Sequence, residues 1–438
     1  MSYLSNIFFA IVLVIGIGFF VTNIRKLIRN INLGKDIDRT DNKPERWKNM
    51  ARIALGQSKM VSRPFSGFLH IIVYVGFIII NIEVLEIIID GLFGTHRVFQ
   101  PILGDAFYGF LIGTFEILAA LVFIAVTLFW LRRNASNIKR FLSKEMKGWP
   151  KRDGNFILYF EMVLMTLFII MNATDVHFQE AGVGNIISQF VAPLFSDYSL
   201  ETIHSIETFA WWAHIVGILI FLNYLYYSKH LHILLAFPNT FFANLNPKGQ
   251  FPNSETVTKE VKLMMDPEAD PYAAPEPTSE EEIPEKFGAS DVADLNWVQL
   301  LNAYTCTECG RCTSVCPANL TGKELSPRKI MMDTRDRLEE VGKNIDENKG
   351  TFKEDGKQLL NDYISPEELW ACTSCNACVE ECPVNIDPLS IIMDMRKYLV
   401  MEESAAPQEL NMMMSNVENN GAMWQYNQQD RLNWKDEE

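Results

Sequence analysis

Five segments of this 438-residue chain are apolar over the depth of a bilayer, and all five lie in its first part. They run roughly Ile7–Ile24, Phe65–Asp90, Ala106–Leu131, Phe156–Thr174 and Thr208–Ser228. A spanning helix needs about 20 mainly apolar residues, and a lone segment in hydrocarbon can satisfy its backbone only as a helix. The first segment reads as a retained helix: residues 1–6 carry no base, and basic residues follow the apolar run instead of preceding it. Loop charge orients the chain. Residues 25–63 contain eleven Lys and Arg and residues 132–152 contain eight, whereas 91–105 hold only Arg97 and 176–205 hold none. Basic loops stay on the cytoplasmic side. The expectation is a multi-pass protein of the cell membrane, N-terminus outside, with everything after Ser228 in the cytoplasm.

Composition changes after Leu245. Up to that point 21 Lys and Arg stand against 17 Asp and Glu; beyond it 18 stand against 37, so the net charge of −15 resides in the second part. An acidic soluble half repels a phosphate backbone and excludes a nucleic-acid partner. A hydrophobic share of 48% excludes general disorder. From Asp266 to Ser290 the chain has eight acids, one base and five prolines, which predicts an extended, solvated tether.

The histidines come next. His70 lies a turn or two inside the cytoplasmic end of the second span. His214 is in the outer half of the fifth, and His230 and His232 follow at its cytoplasmic end. The 18 residues between His214 and His232 make five helical turns, which puts both on one face, with His230 about 160° away. Two neutral imidazoles facing each other across a bundle form a bis-histidine haem b site, and depth pairs His70 with His232. A snorkelling group at the interface is the plainer alternative for each. At the depth of His214 the second span offers only Ile80 and Asn81. Three roles stay open for it: a second haem shared with His177 or His204, a hydrogen bond to a quinone, or a buried polar contact. Of the acids in or beside the spans, Glu83, Glu116 and Glu207 suggest proton exchange with a quinone. Glu86, Asp90 and Glu161 read better as interhelical or interfacial contacts.

All eight cysteines lie in the second part, in one pattern written twice. Cys306-x2-Cys309-x2-Cys312-x3-Cys316-Pro317 recurs as Cys372-x2-Cys375-x2-Cys378-x3-Cys382-Pro383. This is the bacterial ferredoxin run, in which three thiolates on a short loop cap one cubane and the fourth reaches the other. Two [4Fe–4S] clusters are expected, one on Cys306, Cys309, Cys312 and Cys382, the other on Cys372, Cys375, Cys378 and Cys316. Disulfides do not suit a cytoplasmic domain, and zinc does not call for these offsets twice. The 55-residue spacer between the runs has helical patterning in SPRKIMMDTRDRLEEVG, and SPEELW reads as a capped helix entering the second loop.

On these residues the region from Trp297 onward, with its LWACTSCNACVEECPV run and SNVENNGAMWQYNQQDRLNW tail, resembles the heterodisulfide-reductase-related iron–sulfur family. The membrane part resembles the cytochrome b (gamma) subunit of respiratory nitrate reductases. That family carries two histidines on the second helix and two on the fifth. His214 and His232 match the fifth-helix pair and His70 the cytoplasmic one of the second; the remaining position is Ile80 here. The resemblance implies an inner haem and leaves an outer one short of a ligand. Longer relatives continue into domains with paired adjacent cysteines, which this sequence lacks, along with any phosphate-binding loop or nucleophile constellation. The catalytic unit is therefore expected on another polypeptide.

The sequence reading is thus an all-α protein: a five-helix membrane domain (1–245), an acidic linker (246–296), an α-helical ferredoxin domain (297–400) and a tail for partner contact (401–438). Its expected work is electron transfer between a quinone, haem b, two [4Fe–4S] clusters and a soluble subunit with Cys-rich cluster domains. The alternatives are a self-sufficient quinone oxidoreductase fed by an electron-transferring flavoprotein, and a membrane-anchored redox sensor.

Overall fold

Where the sequence stays apolar for a bilayer's depth, the backbone closes on itself as helix. The computed structural model describes residues 3–251, 253–268 and 286–436. Five long helices, α1 (Tyr3–Ile31), α2 (Pro64–Phe93), α3 (Asp105–Asn134), α4 (Trp149–Thr174) and α5 (Leu200–Tyr224), contain the five expected spans up to Tyr224 and extend past most of their ends. Their ends follow local chemistry. Proline sits in the first turn of α2 and α4, where a missing N–H costs nothing. Ser199 caps α5 by accepting from Thr202 N, and Gly94 ends α2 in the left-handed region at φ 70°.

α1 packs on α2 and α5, α2 on α3, α3 on α4 and α4 on α5, so the helices close a bundle. Phe9, Ile112, Phe115, Ala119, Phe168 and Ile215 fill its interior. The outward faces remain apolar, with Phe8, Ile15, Phe68, Leu85, Phe110, Ile124, Phe209 and Ile220 exposed. Water would not tolerate so much greasy surface; lipid would. This is a membrane protein.

The fifth span corrects the sequence reading. α5 stops at Tyr224, single turns follow at Leu225–Tyr227 and Lys229–Leu231, and a new helix, α6 (His232–Phe241), opens at His232. Asp153 on α4 causes the break. Its carboxylate accepts from Tyr224 OH at 2.6 Å, Ser228 Oγ at 2.7 Å and Lys229 N at 3.2 Å, while Ser228 turns extended. The unbroken five-turn face for His214 and His232 does not exist.

The second part is helical as well: α7 (Trp297–Thr305), α8 (Arg311–Val315), α9 (Pro327–Glu347), α10 (Pro366–Trp370), α11 (Ala377–Glu381), α12 (Pro388–Met401) and α13 (Gln408–Asn420). α9 is the expected spacer helix; Ser326 caps it, and Ile330, Met331, Leu338, Val341 and Ile345 bury one face. Ser365 and Glu368 form a capping box on α10. Among the described residues there is no strand, only two isolated bridges. A helix, Glu255–Met265, precedes the acidic stretch. Most of the expected tether, 269–285, lies outside the described residues.

The two parts share one apolar cluster, in which Leu27, Ile31, Leu225 and Leu231 meet Leu300, Tyr304 and Leu338. A polar ring surrounds it. Arg63 and Arg311 both reach Glu381, at 2.7 and 3.0 Å. Arg328 reaches Glu145 at 2.6 Å, Asn30 donates to Tyr304 OH at 3.0 Å, and Lys35 pairs with Asn296 in a β-bridge. The helical Cys-rich region therefore sits against the bundle end formed by the two basic loops.

Candidate metal centres

The two cysteine runs fold alike because their loops have the same backbone signs. Cys306 ends α7 and Cys372 follows α10. Two residues on, Glu308 and Ser374 turn left-handed (φ 54° and 56°), and after two more so do Gly310 and Asn376 (φ 69° and 59°). Each loop then enters a short helix, α8 or α11, that ends at the fourth cysteine. Gly310 could not be replaced easily, since a Cβ there would meet Arg328 Nη1 at 2.4 Å.

α8 packs on α11, and this contact crosses the two runs. The Cys312 thiol has Cys309, Cys306, Cys382 and Cys378 as neighbours, and Cys382 has Cys309. Cys372 has Cys316 and Cys375 beside it, and Cys378 has Cys372 and Cys316. Cys382 thus lies near Cys309 and Cys312 of the first run, and Cys316 near Cys372 and Cys378 of the second. No disulfide joins any of the eight; Cys375 is exposed, whereas Cys306, Cys316, Cys378 and Cys382 are buried. Burial pushes the Cys306 thiol up to about 12 and Cys382 up to about 11. Crowded buried thiols of this kind suit a group that takes thiolates and supplies the compensating positive charge.

The bundle supplies polar contacts to the first set. Lys59 Nζ donates to the carbonyls of Cys382 and Glu380 at 3.1 Å, and Arg140 is a charged neighbour of Cys309. Burial lowers the Lys59 pKa and Cys382 opposes it. In the second set, Arg396 donates to the carbonyls of Leu369 and Cys372 and lies over the Trp370 ring at 4.9 Å. All three basic groups were hidden among the many charges of the sequence.

The structure brings His70 and His232 together, with ring centroids 6.5 Å apart. A metal held between two imidazoles by bonds of roughly 2 Å needs centroids at about that separation. His70 Nδ1 is buried without a partner, and His232 Nδ1 pairs with Lys229 O at 3.1 Å, which leaves Nε2 as its free nitrogen. Burial lowers the His232 pKa and that of His230, the latter to about 3, so both are neutral. His230 lies beside His232, ring centroids 5.5 Å apart, but its Nε2 is 3.6 Å from Glu161 and its ring packs on Phe221.

His214 is buried, with Nδ1 3.1 Å from Leu164 O, Nε2 unpartnered and Phe168 alongside. No ring contact joins it to another imidazole among the described residues. His204 pairs with Glu207 at 3.1 Å, and His177 lines a cavity at the bundle end remote from the cysteines. Of the acids in the spans, Glu86 accepts from Phe99 N and Tyr108 OH, and Glu116 from Ile187 N, Ser188 N and Asn172. Both carboxyl groups are thus held by donors from neighbouring elements. Asp153, which shapes the site by bending the chain before His232, was missed; a lone acid in the basic run KGWPKRDGN was its only signal.

Residues 305–386 match the family model of the 4Fe-4S dicluster domain. The chain is 28% identical, over 99% of its length and 61% of the relative's, to the probable iron-sulfur-binding oxidoreductase FadF of Bacillus subtilis. It is 24% identical, over 92% of its length and 55% of the relative's, to the EtfAB:quinone oxidoreductase of Syntrophomonas wolfei. Over a quarter of its length, and 53% of the relative's, it is 31% identical to one subunit of the ferredoxin/F420H2-dependent CoB-CoM heterodisulfide reductase of Methanosarcina acetivorans. The expected resemblance to heterodisulfide-reductase proteins is borne out. The chain spans about three fifths of the length of the first two relatives. No solved structure matches it.

Proposed function

Starting from an iron–sulfur electron-transfer protein of the oxidoreductase class, we propose that this chain connects a quinone in the membrane to a soluble redox partner. Cys306, Cys309, Cys312 and Cys382 would hold one [4Fe–4S] cluster, and Cys372, Cys375, Cys378 and Cys316 the second. His70 and His232 would hold a haem b. These groups supply one-electron carriers, and the protein sets their potentials by ligand type, burial and hydrogen bonding.

The observation that carries the reading is the docking of the crossed cysteine sets on the bundle end that also presents the His70–His232 pair. The residues do three things there. Lys229 pairs with Glu308 in the first cysteine loop while its carbonyl orients His232, so one residue serves both sites. Lys59 and Arg140 bring positive charge beside the first set, which faces the bundle. Cys375 is exposed, which gives the second set a surface for a partner. The charge of the basic loops supports a cytoplasmic position for this end.

The similarity to an EtfAB:quinone oxidoreductase along 92% of the chain favours an electron-transferring flavoprotein as the soluble partner. A separate subunit with paired-Cys domains is the other reading, supported by the heterodisulfide reductase likeness. Anaerobically purified protein should contain about nine iron, eight of them in the clusters and one in the haem, and about eight sulfide per chain, with a b-type absorption in reduced-minus-oxidised spectra. His232→Ala should abolish that absorption and leave the sulfide content unchanged; an undiminished signal would move the ligand to His230. Affinity purification from native membranes then separates the two partners.

A further inference from the structure

At the bundle end remote from the cysteines, five buried carboxyl groups, Glu83, Glu86, Asp90, Glu116 and Asp175, surround one buried cation, Arg97. Four of them have hydrogen-bond donors. Asp90 accepts from Thr95 Oγ1, Arg97 N and Val98 N, at 2.5, 2.8 and 3.2 Å. Asp175 accepts from Phe178 N at 3.0 Å and Arg97 Nε at 2.8 Å, with His96 Nε2 3.2 Å away. Glu86 and Glu116 have the donors described above. Glu83 stands apart: it is 3% exposed, and its Oε2 is buried with no hydrogen-bond partner.

The charged groups facing Glu83 are Arg97, Glu86, Asp90 and Glu116, with Tyr108 close by. One guanidinium, itself committed to Asp175, Asn172 and Tyr108, cannot balance five negative charges in a low-dielectric bundle. A buried carboxyl without donors, among acids that outnumber the one cation, costs least when it carries a proton. Glu83 has a way to exchange it. Glu86 is one helical turn away on the same face, Tyr108 OH donates to Glu86 Oε2 at 3.0 Å, and Tyr108 lines a cavity of about 140 Å³ with His96, Arg97, Gln100 and His177.

We propose that Glu83 is a proton-loading site, which holds one proton and exchanges it through Glu86 and Tyr108 with the cavity at this end of the bundle. In each step of loading one O–H bond breaks as the next forms: Tyr108 gives its proton to Glu86 Oε2, Glu86 gives one to Glu83, and cavity water gives one to the Tyr108 oxygen; once the Tyr108 hydroxyl turns toward the cavity, release runs the same steps in reverse. No electron moves along this route. It rests on the proposed function only for the redox event that draws on the proton, quinone chemistry being the class that exchanges protons with electrons. The proton's place and path stand on the geometry.

The test is infrared spectroscopy of the full chain in nanodiscs at neutral pH, on transfer from H₂O to D₂O. The wild type should have a protonated-carboxyl C=O band that shifts in D₂O. Glu83→Gln should lose it, whereas Glu116→Gln should keep it. Tyr108→Phe should keep the band and slow its shift by about tenfold or more, as expected for removal of a positioned proton donor. A band unchanged in Glu83→Gln overturns the site, and unslowed exchange in Tyr108→Phe overturns the route. Haem absorption, read on the same samples, reports independently on the proposed function.

Discussion

At the scale of the residue, backbone sign and tautomer decide what the side chains can do. Gly310 and Asn376 occupy equivalent left-handed positions, yet only the first lies against Arg328 and Arg140. Gly310→Ala adds a strained φ and a clash, together costing about 1–3 kcal/mol. Iron per chain should fall toward half, because the first loop is disturbed and the second is not; metal analysis of anaerobic protein checks this. Gly342 plays a similar part between the two halves, where a Cβ would meet Asn30 Nδ2 at 2.3 Å. Gly342→Ala should break the Asn30–Tyr304 hydrogen bond and destabilise the protein by about 1–3 kcal/mol, which a thermal unfolding shift would register. Neither glycine has a distinguishing mark in the sequence, since what excludes a side chain is a neighbour far away along the chain.

At the scale of the element, the break after Tyr224 matters most. Three donors converge on Asp153, and without them the apolar run would continue as one helix and aim His232 differently. Asp153→Ala should therefore reduce the b-type absorption by more than half while sulfide stays constant, a split that general unfolding would not give. The individual spans, α9 with its Ser326 cap and the α10 capping box were all legible, because caps and helical periodicity act within a few residues. The Ser228 break was not, because its cause is a carboxylate on another helix.

At the scale of the whole molecule, α9 is pinned near both ends to the membrane bundle. Near its start Arg328 binds Glu145, and near its end Asp346 binds Arg29 and Lys26. Burial would raise the Glu145 pKa, but hydrogen bonds and charge from Arg328 hold it below the ordinary range. Asp346 is lowered chiefly by its hydrogen bond from Arg29. A carboxylate depressed in the folded state stabilises fully above its unfolded pKa, about 4 for these groups, and that stability is lost as pH falls through the folded value. Docking should thus be constant near neutrality and weaken below about pH 4. Hydrogen exchange in α9 should rise in that window and not at alkaline pH. Charge exchange at the central pair offers a second check: Arg63→Glu should loosen docking, and adding Glu381→Arg should recover only part of it, since Arg311 then faces a like charge.

The amino-acid sequence by itself determined the five spans, the all-α class, the eight-cysteine pattern and the depth match of His70 with His232. Each follows from spacing along the chain: apolar length against bilayer thickness, or thiolates close enough to cap one cluster. Tertiary structure alone decided that the fifth span bends at Ser228, that the Cys-rich region docks on the basic loops, and that Glu83 is the buried acid left without a donor. Those outcomes depend on which groups meet across helices. Burial and hydrogen-bond satisfaction are properties of the packed molecule, so no local pattern encodes them.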